Sequence, residues 1–203
     1  MKKTLLIIIG VLLSINLSAQ TAEEFFNNVI EKTKSYNDVS IIFNYKIINK
    51  EADIYENMIG YASMKGDSYK LNVDGQEMIS DGKVLWTHLI DDEEVMISEV
   101  TEDTNVSPLA IIDSFTNNIT VNFLENNAET KTVEIKENDG ENFEKIILTT
   151  DKDFRIKKIH AYLGDGNELV YEINEFTTNQ NLPDSMFTFD ENLYPNVDVI
   201  DMR

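Results

Sequence analysis

The sequence of 203 residues is long enough for one domain with a sizeable core. It contains no cysteine, which excludes disulfide bonds, thiolate metal sites and cysteine nucleophiles. Its formal net charge of −20 repels phosphate backbones and anionic lipid headgroups, so we expect no nucleic-acid partner and no stable adhesion to a membrane.

The first residues have the three parts of a secretory signal peptide. Lys2 and Lys3 precede an apolar run over residues 5–13, and Ala19 offers a small residue at the cleavage point. The run is shorter than the roughly 20 residues that a membrane-spanning helix needs. We therefore expect residues 1–19 to be removed and residues 20–203 to form a single exported domain.

A helix is predicted directly after this leader. Thr21 and Glu24 have the spacing of a capping box, in which each residue bonds the backbone of the other. Apolar residues then recur at helical spacing and form one stripe. The stripe consists of Ala22, Phe25, Phe26, Val29, Ile30, Thr33 and Tyr36.

From Val39 onward the apolar period changes from 3.6 to 2, which is typical of β-strands. Short alternating stretches are separated by turn signals such as Asp74-Gly75 and Asp81-Gly82. Counting the first one, the pattern predicts about eleven strands. They fall near residues 39–48, 54–64, 68–73, 76–80, 83–90, 94–100, 119–125, 130–137, 143–150, 155–163 and 168–176.

One interruption of this pattern predicts a second, short helix. Ser107 and Pro108 supply an N-cap and a proline at the first helical position, and Leu109, Ile112 and Phe115 follow at helical spacing. Tight turns make neighbouring strands antiparallel, so we expect a mainly β protein built on one large meander sheet. A sheet of this length curls to protect its edges, and the curl encloses a volume that two amphipathic helices would cover.

Motifs for catalysis or metal binding are not recognisable. His88 and His160 are the only histidines, and both fit half-exposed positions in strands. The run from Asp91 to Glu94 lies between two strands and fits a solvated hairpin tip. We expect no catalytic residues, no cofactor and no metal, and hence a protein that is not an enzyme.

The candidate binding residues are therefore apolar and aromatic. Alternation predicts that eight of them share one face of the first half of the sheet: Phe43, Tyr45, Tyr69, Leu71, Met78, Trp86, Val95 and Ile97. Leu109, Ile112 and Phe115 of the second helix complete the candidate set. These residues could fill a closed core or line a lipid-binding cavity, and the pattern alone leaves both alternatives open.

Three segments resemble the LolA family of outer-membrane lipoprotein carrier proteins. Residues 80–86, Ser-Asp-Gly-Lys-Val-Leu-Trp, are similar to the family's SDGKxLW stretch, and residues 65–69 stand where the family has RPxxF. Phe187-Thr188-Phe189 and the ending at residues 197–203 resemble its C-terminal FxF and VxVxD motifs. The resemblance extends over essentially the whole mature chain and identifies a divergent member.

The resemblance implies an incomplete, unclosed antiparallel β-barrel of about eleven strands, with a helical lid over an apolar cavity that Trp86 lines. It also implies a lid latch at Lys65, where the family has an arginine that bonds helix carbonyls. Lysine lacks the planar fork of arginine, so an identical latch is not expected. Tyr69 replaces the phenylalanine of the family motif and places a hydroxyl at a cavity position.

The resemblance further implies a monomeric carrier in the periplasm of a Gram-negative bacterium. Such a carrier takes acylated lipoproteins from an inner-membrane ABC transporter and delivers them to an outer-membrane acceptor. Two alternatives share the same fold: a module that senses lipids or lipoproteins, and a carrier of free lipids or pigments.

Overall fold

The computed structural model describes residues 20–101, 118–138 and 143–203. The predicted signal peptide and second helix lie outside these residues, so neither prediction is tested. The described residues form one α-helix, α1 (Ala22–Lys34), and twelve β-strands. The strands are β1 (Val39–Asn49), β2 (Ile54–Lys65), β3 (Ser68–Val73), β4 (Gln76–Ser80), β5 (Val84–Leu89), β6 (Glu94–Glu99), β7 (Ile119–Asn126), β8 (Thr130–Glu137), β9 (Phe143–Asp151), β10 (Ile156–Leu163), β11 (Asn167–Thr178) and β12 (Asp198–Asp201). Two short 3-10 turns, Asp184–Phe187 and Glu191–Leu193, precede β12.

All twelve strands belong to one sheet in the order β12-β6-β5-β4-β3-β2-β1-β11-β10-β9-β8-β7. Strands β1 to β6 form one antiparallel meander and β7 to β11 form a second. Strand β1 pairs with both β2 and β11 and thereby joins the two meanders. Strands β7 and β12 form the two edges, so the sheet of the described residues is not closed. The predicted fold class, a mainly β, unclosed sheet, is confirmed.

Eleven of the twelve strands were predicted, and β12 was not. It has only four residues, all exposed, and it pairs with β6 in parallel register. Parallel strands are joined by a long connection and not by a tight turn, so the sequence contains no turn signal that predicts β12.

Helix α1 begins with the predicted capping box. The backbone N–H of Glu24 donates to Thr21 Oγ1 at 3.1 Å, and the N–H of Thr21 donates to Glu24 Oε2 at 3.2 Å. The stripe of α1 packs on one face of strands β7 to β10 and forms a core with Val121, Val133, Ile135, Ile146 and Leu148. The helix therefore covers the second meander on one side.

Asp38 ties the start of β1 to the chain that follows β11. Its carboxylate accepts hydrogen bonds from the backbone N–H groups of Gln180 (2.7 Å), Asn181 (2.8 Å) and Leu182 (3.2 Å). The residue is 1% exposed. Burial on its own raises the pKa of Asp38, but the three N–H donors and the nearby charge of Lys65 outweigh it and lower the pKa.

We predict that Asp38→Asn lowers the free energy of unfolding at neutral pH. Because the pKa of Asp38 is lowered in the folded state, its carboxylate stabilises the fold above its ordinary pKa of 3.8, and this contribution is lost as the pH falls. Urea unfolding followed by circular dichroism should therefore show a deficit at pH 7 that shrinks at pH 3. Glu129→Gln, in an exposed turn, is the control and should show no deficit. A deficit of the same size at both pH values would contradict the prediction.

Candidate functional site

Cross-strand register defines two faces of the sheet, because residues directly opposite each other in neighbouring strands point to the same side. Ile41, Ala62, Leu71 and Met78 stand opposite one another across β1 to β4. We call the side that carries them the inner face. Helix α1 packs on this same side. The inner row of Ile47 continues through Leu169 of β11 into Ala161 of β10, and Ala161 belongs to the core beneath the helix.

Five of the eight candidates expected on one face lie together on the inner face. Phe43 and Tyr45 come from β1, Tyr69 and Leu71 from β3, and Met78 from β4. All five belong to, or pack against, one apolar cluster. The prediction that these five share a face is confirmed, while their role in lipid binding stays a prediction.

The expectation that Trp86, Val95 and Ile97 lie on the same face is wrong. Trp86 stands opposite Ile79 of β4 and Ile97 of β6, and this row belongs to the other side, which we call the outer face. Val95 lies on the outer face as well, opposite His88. Trp86 therefore does not line the inner face.

The physical reason is the pairing of the hairpins. Each hairpin from β1 to β6 pairs an odd-numbered residue with an even-numbered one, so the inward positions alternate between odd and even from strand to strand. Inward positions are odd in β5 and even in β6, which places Leu85, Thr87 and Met96 inside. Trp86, Val95 and Ile97, at the positions of opposite parity, point outward.

The C-terminal segment, residues 182–203, covers the outer face of β4 to β6. Phe189 packs with Ile79, Val95 and Ile97 in a separate buried cluster that Trp86, Tyr194 and Val197 adjoin. The segment also forms an open groove of about 830 Å³ that Trp86 lines together with Phe189, Leu193 and polar residues. The only tryptophan of the sequence is thus a contact of the C-terminal segment.

Beneath this segment lies a polar cluster on β3 to β5. Glu77, 8% exposed, accepts a hydrogen bond from the hydroxyl of Tyr194 at 2.7 Å, and its other oxygen is 2.7 Å from Lys70 Nζ. His88 Nδ1 is 3.9 Å from Glu77, and His88 is buried, not half-exposed as expected. Burial alone raises the pKa of Glu77, but Lys70 and Tyr194 outweigh it and lower the pKa. Burial and the Glu77 carboxylate raise the pKa of Tyr194 to about 12.

Lys65, the expected lid latch, holds the same C-terminal segment. Its Nζ donates to the carbonyl oxygen of Leu182 at 2.8 Å and lies 2.6 Å from Asp184 Oδ1. Lys65 therefore does bond a main-chain carbonyl, as the family arginine is expected to do, but the carbonyl does not belong to α1. Leu109, Ile112 and Phe115 lie outside the described residues, so the helical lid and their part in it stay predictions.

Gly60 shapes the inner face by making room for an aromatic ring. It stands opposite Phe43, and a Cβ added at Gly60 would lie 2.3 Å from the Phe43 Cζ atom and 2.6 and 2.8 Å from the two Cε atoms. The ring of Phe43 therefore lies flat against β2, close to the ring of Tyr171 at 5.9 Å between centroids. Because only glycine leaves this space free, Gly60 determines how far Phe43 projects from the sheet.

Coverage of the inner face changes along the strands of the first meander. At the end where β1 begins, the inward residues Val39, Ile41, Met64, Tyr69 and Leu85 are buried. Toward the other end, which we call the upper end, apolar inward residues are only half-buried. They are Tyr45, Ile47, Met58 and Val73, together with Tyr171 of the neighbouring β11. Met78, in the row of Ile41, is half-buried as well and extends this surface toward the other end of the strands. This half-covered apolar surface is the candidate ligand-binding site of the described chain.

Other chemistry is not apparent within the described ranges. They contain no helix long and apolar enough to cross a membrane, and no group of three or more metal-ligating side chains. His160 is half-buried on the outer face of β10, where its Nε2 is 2.9 Å from Glu168 Oε2.

We predict that Gly60→Ala destabilises the fold by about 1 to 3 kcal/mol, because the new methyl group forces the Phe43 ring away from β2. Urea unfolding measures the effect, and the same substitution in a Phe43→Ala background should cost clearly less. An equal cost in both backgrounds would show that Phe43 is not the obstacle.

We also predict that Trp86 fluorescence reports the C-terminal segment and not the inner face. Phe189→Ala should shift the emission to longer wavelength, because it removes a buried ring from the cluster beside the indole. Leu71→Ala, a buried truncation on the inner face, is the control and should leave the emission maximum in place. A shift in the control and none in the Phe189 variant would contradict this assignment.

Comparison with known proteins agrees with the segments that suggested the family. The family model for the outer membrane lipoprotein carrier protein LolA matches residues 70–190. The outer-membrane lipoprotein carrier protein of Francisella tularensis subsp. tularensis (strain WY96-3418) is 28% identical over 217 residues, covering 99% of this chain and 98% of that protein. The protein of the same name from Francisella philomiragia is 28% identical over 168 residues, covering 73% of this chain and 80% of that protein.

Among solved structures, a LolA superfamily protein from Nitrosomonas europaea aligns with a TM-score of 0.46 and 15% sequence identity. The alignment covers 85% of this chain and 99% of that one. The match of the family model extends over more than half of the sequence, from β3 to the chain after the first 3-10 turn. The chain therefore belongs to the LolA family of outer membrane lipoprotein carrier proteins.

Proposed function

We propose that this protein is a soluble periplasmic carrier that shields the acyl chains of lipoproteins and conveys them from the inner to the outer membrane. The observation that carries the proposal is the half-covered apolar surface at the upper end of the inner face, in a chain of this family. On this proposal an inner-membrane ABC transporter loads the carrier, and an outer-membrane acceptor unloads it.

The energy of an exposed acyl chain explains why a carrier is needed. Burying a methylene is worth about 0.8 kcal/mol, so a chain of about fifteen carbons costs on the order of 12 kcal/mol to expose to water. A lipoprotein with such chains would not leave a membrane unaided. The carrier must offer an apolar surface of similar quality that is not already filled by its own side chains.

The distribution of burial in the first meander suits this task. Packing is complete in the lowest row, where Val39, Met64 and Tyr69 are buried. It is incomplete at Met58 and Val73 of the upper end and at Met78 below them, where apolar side chains keep part of their surface in contact with solvent. Methionine side chains are flexible and adapt to irregular contents, which favours acyl chains of varied conformation.

The net negative charge of the protein favours a carrier that stays in solution and does not remain bound to membranes. A net charge of −20 opposes adsorption to anionic lipid surfaces, so that bound cargo would be carried away from the membrane of origin. We also propose that residues 1–19 are removed on export and that residues 20–203 fold as one domain, which the intact mass of the exported protein tests.

We predict that the protein isolated under gentle conditions from periplasm carries acylated lipoproteins, detectable by native mass spectrometry. Extraction and lipid analysis of the same sample separates the alternatives. Free lipids or pigments without acylated polypeptide would indicate a carrier of those molecules instead. Protein without cargo, and unable to take up lipoprotein from membrane vesicles, would overturn the proposal.

We predict that Met78→Glu weakens lipoprotein binding at least about tenfold, because the carboxylate would lose hydration against an acyl chain. The matched control is Ile59→Glu, since Ile59 lies on the outer face and is 57% exposed. Binding is measured by retention of a fluorescent lipoprotein in gel filtration, and thermal unfolding verifies that both variants fold. Equal binding by both variants, or greater loss with Ile59→Glu, would place the site elsewhere.

A further inference from the structure

The half-covered part of the inner face contains a pair of tyrosines among apolar side chains. Tyr45 and Tyr171 stand directly opposite each other in β1 and β11. Their rings stack with 4.9 Å between centroids and an interplanar angle of 30°. Phe43 and Ile173 form the next inward row, and Met58 stands opposite Tyr45 in β2. The pair therefore lies between the buried lower rows and the solvent at the upper end.

The two hydroxyl groups are suited to donate hydrogen bonds to a ligand. Burial, followed by the neighbouring Tyr45, raises the pKa of Tyr171, and burial also raises that of Tyr45, so both phenols stay protonated at neutral pH. Each hydroxyl has one proton to donate, and a carbonyl oxygen has two lone pairs to accept. Even when one hydroxyl donates to the other, the pair retains one proton for a ligand.

Two carboxylates act on the pair electrostatically. The carboxylates of Glu56 and Asp74 act on the Tyr45 hydroxyl electrostatically and contribute to its raised pKa. Glu56 lies on the inner face, opposite Ile47, and Asp74 forms the turn between β3 and β4. These carboxylates repel an anionic group at the tyrosines, such as a phosphate or an ionised carboxylate, and leave a neutral acceptor as the group that fits.

We propose that Tyr45 and Tyr171 form a polar subsite that hydrogen-bonds the neutral ester or amide carbonyl joining an acyl chain to its headgroup. This inference rests on the proposed function, because it assumes that acyl chains occupy the inner face. The chains extend from the subsite over the apolar rows around Phe43 and Met78. The headgroup and any attached polypeptide lie beyond the tyrosines, at the upper end of the sheet.

The subsite gives the carrier a preference that an apolar surface alone lacks. Hydrocarbon burial depends on the number of methylenes and hardly distinguishes one lipid from another of the same length. A carbonyl bonded by the tyrosines fixes where the chain begins. A lipid without such a carbonyl leaves the hydroxyls in contact with apolar atoms and binds less well.

The experiment compares two lipids that differ at this point only: 1-palmitoylglycerol, with an ester carbonyl, and 1-O-hexadecylglycerol, with an ether oxygen. Affinities are measured by displacement of a fluorescent fatty-acid analogue from the full mature protein. We expect the wild type to prefer the ester about 5-fold, which corresponds to about one net hydrogen bond. Palmitate at pH 8 should bind more weakly than the ester.

Tyr45→Phe combined with Tyr171→Phe should abolish the preference for the ester while leaving the affinity for the ether nearly unchanged. Phenylalanine retains the stacked rings, so the substitution removes little besides the two hydroxyls. Tyr61→Phe is the control, since Tyr61 lies on the outer face and is 52% exposed, and it should keep the preference. The single Tyr45 and Tyr171 variants should fall between the wild type and the double variant.

The outcomes distinguish this inference from the proposed function. Equal affinity of the wild type for ester and ether, or a preference that survives in the double variant, overturns the subsite while acyl binding on the inner face stands. Failure of the wild type to bind either lipid or an acylated lipoprotein overturns the proposed function and the subsite with it.

Discussion

The pairing of β1 with β11 is the constraint on which the rest of the structure depends. Without it the two meanders would be separate sheets, because the hairpins connect strands only within each of them. The pairing extends from Val39 opposite Thr178 to Asn49 opposite Asn167, with one register shift beside Phe43. It also brings Asp38 to the backbone of residues 180–182, which directs the chain toward the outer face of the first meander. The long-range ladder thus determines both the inner face and the path of the C-terminal segment.

Local signals predicted the elements of this fold well. The capping box of Thr21 and Glu24, the turn glycines and the alternation of apolar residues marked α1 and eleven strands at nearly their observed bounds. These features depend on interactions between neighbours in sequence, so a sequence contains them directly. The pairing of β1 with β11 does not, and alternation alone could not predict it, because many arrangements of the strands bury the same residues.

The candidate site was predicted only in part, and the residues that fail share one cause. Phe43, Tyr45 and Leu71 were assigned to a common face correctly because most apolar residues of β1 and β3 alternate toward one side. In β5 and β6 the C-terminal segment covers the outer side, so Trp86 and Ile97 are apolar without pointing inward. Size and hydrophobicity then suggest the wrong face, while the register of the hairpins gives the right one. Likewise, Tyr194, more than a hundred residues further along the chain, contacts both Glu77 and His88, which no local pattern reveals.

The cover on the outer face has a physical consequence for the inner one. A sheet that buries apolar residues on one side only depends on that side for its stability, and leaving it half-empty weakens the fold. Strands β4 to β6 instead bury Ile79, Val95 and Ile97 under Phe189, independently of anything bound inside. The second meander is similarly stabilised by α1, through Phe25, Phe26 and Val29. The fold therefore does not depend on close packing of the surface around Tyr45 and Met58. A protein that must remain folded both with and without its cargo needs such a separation of stability from binding.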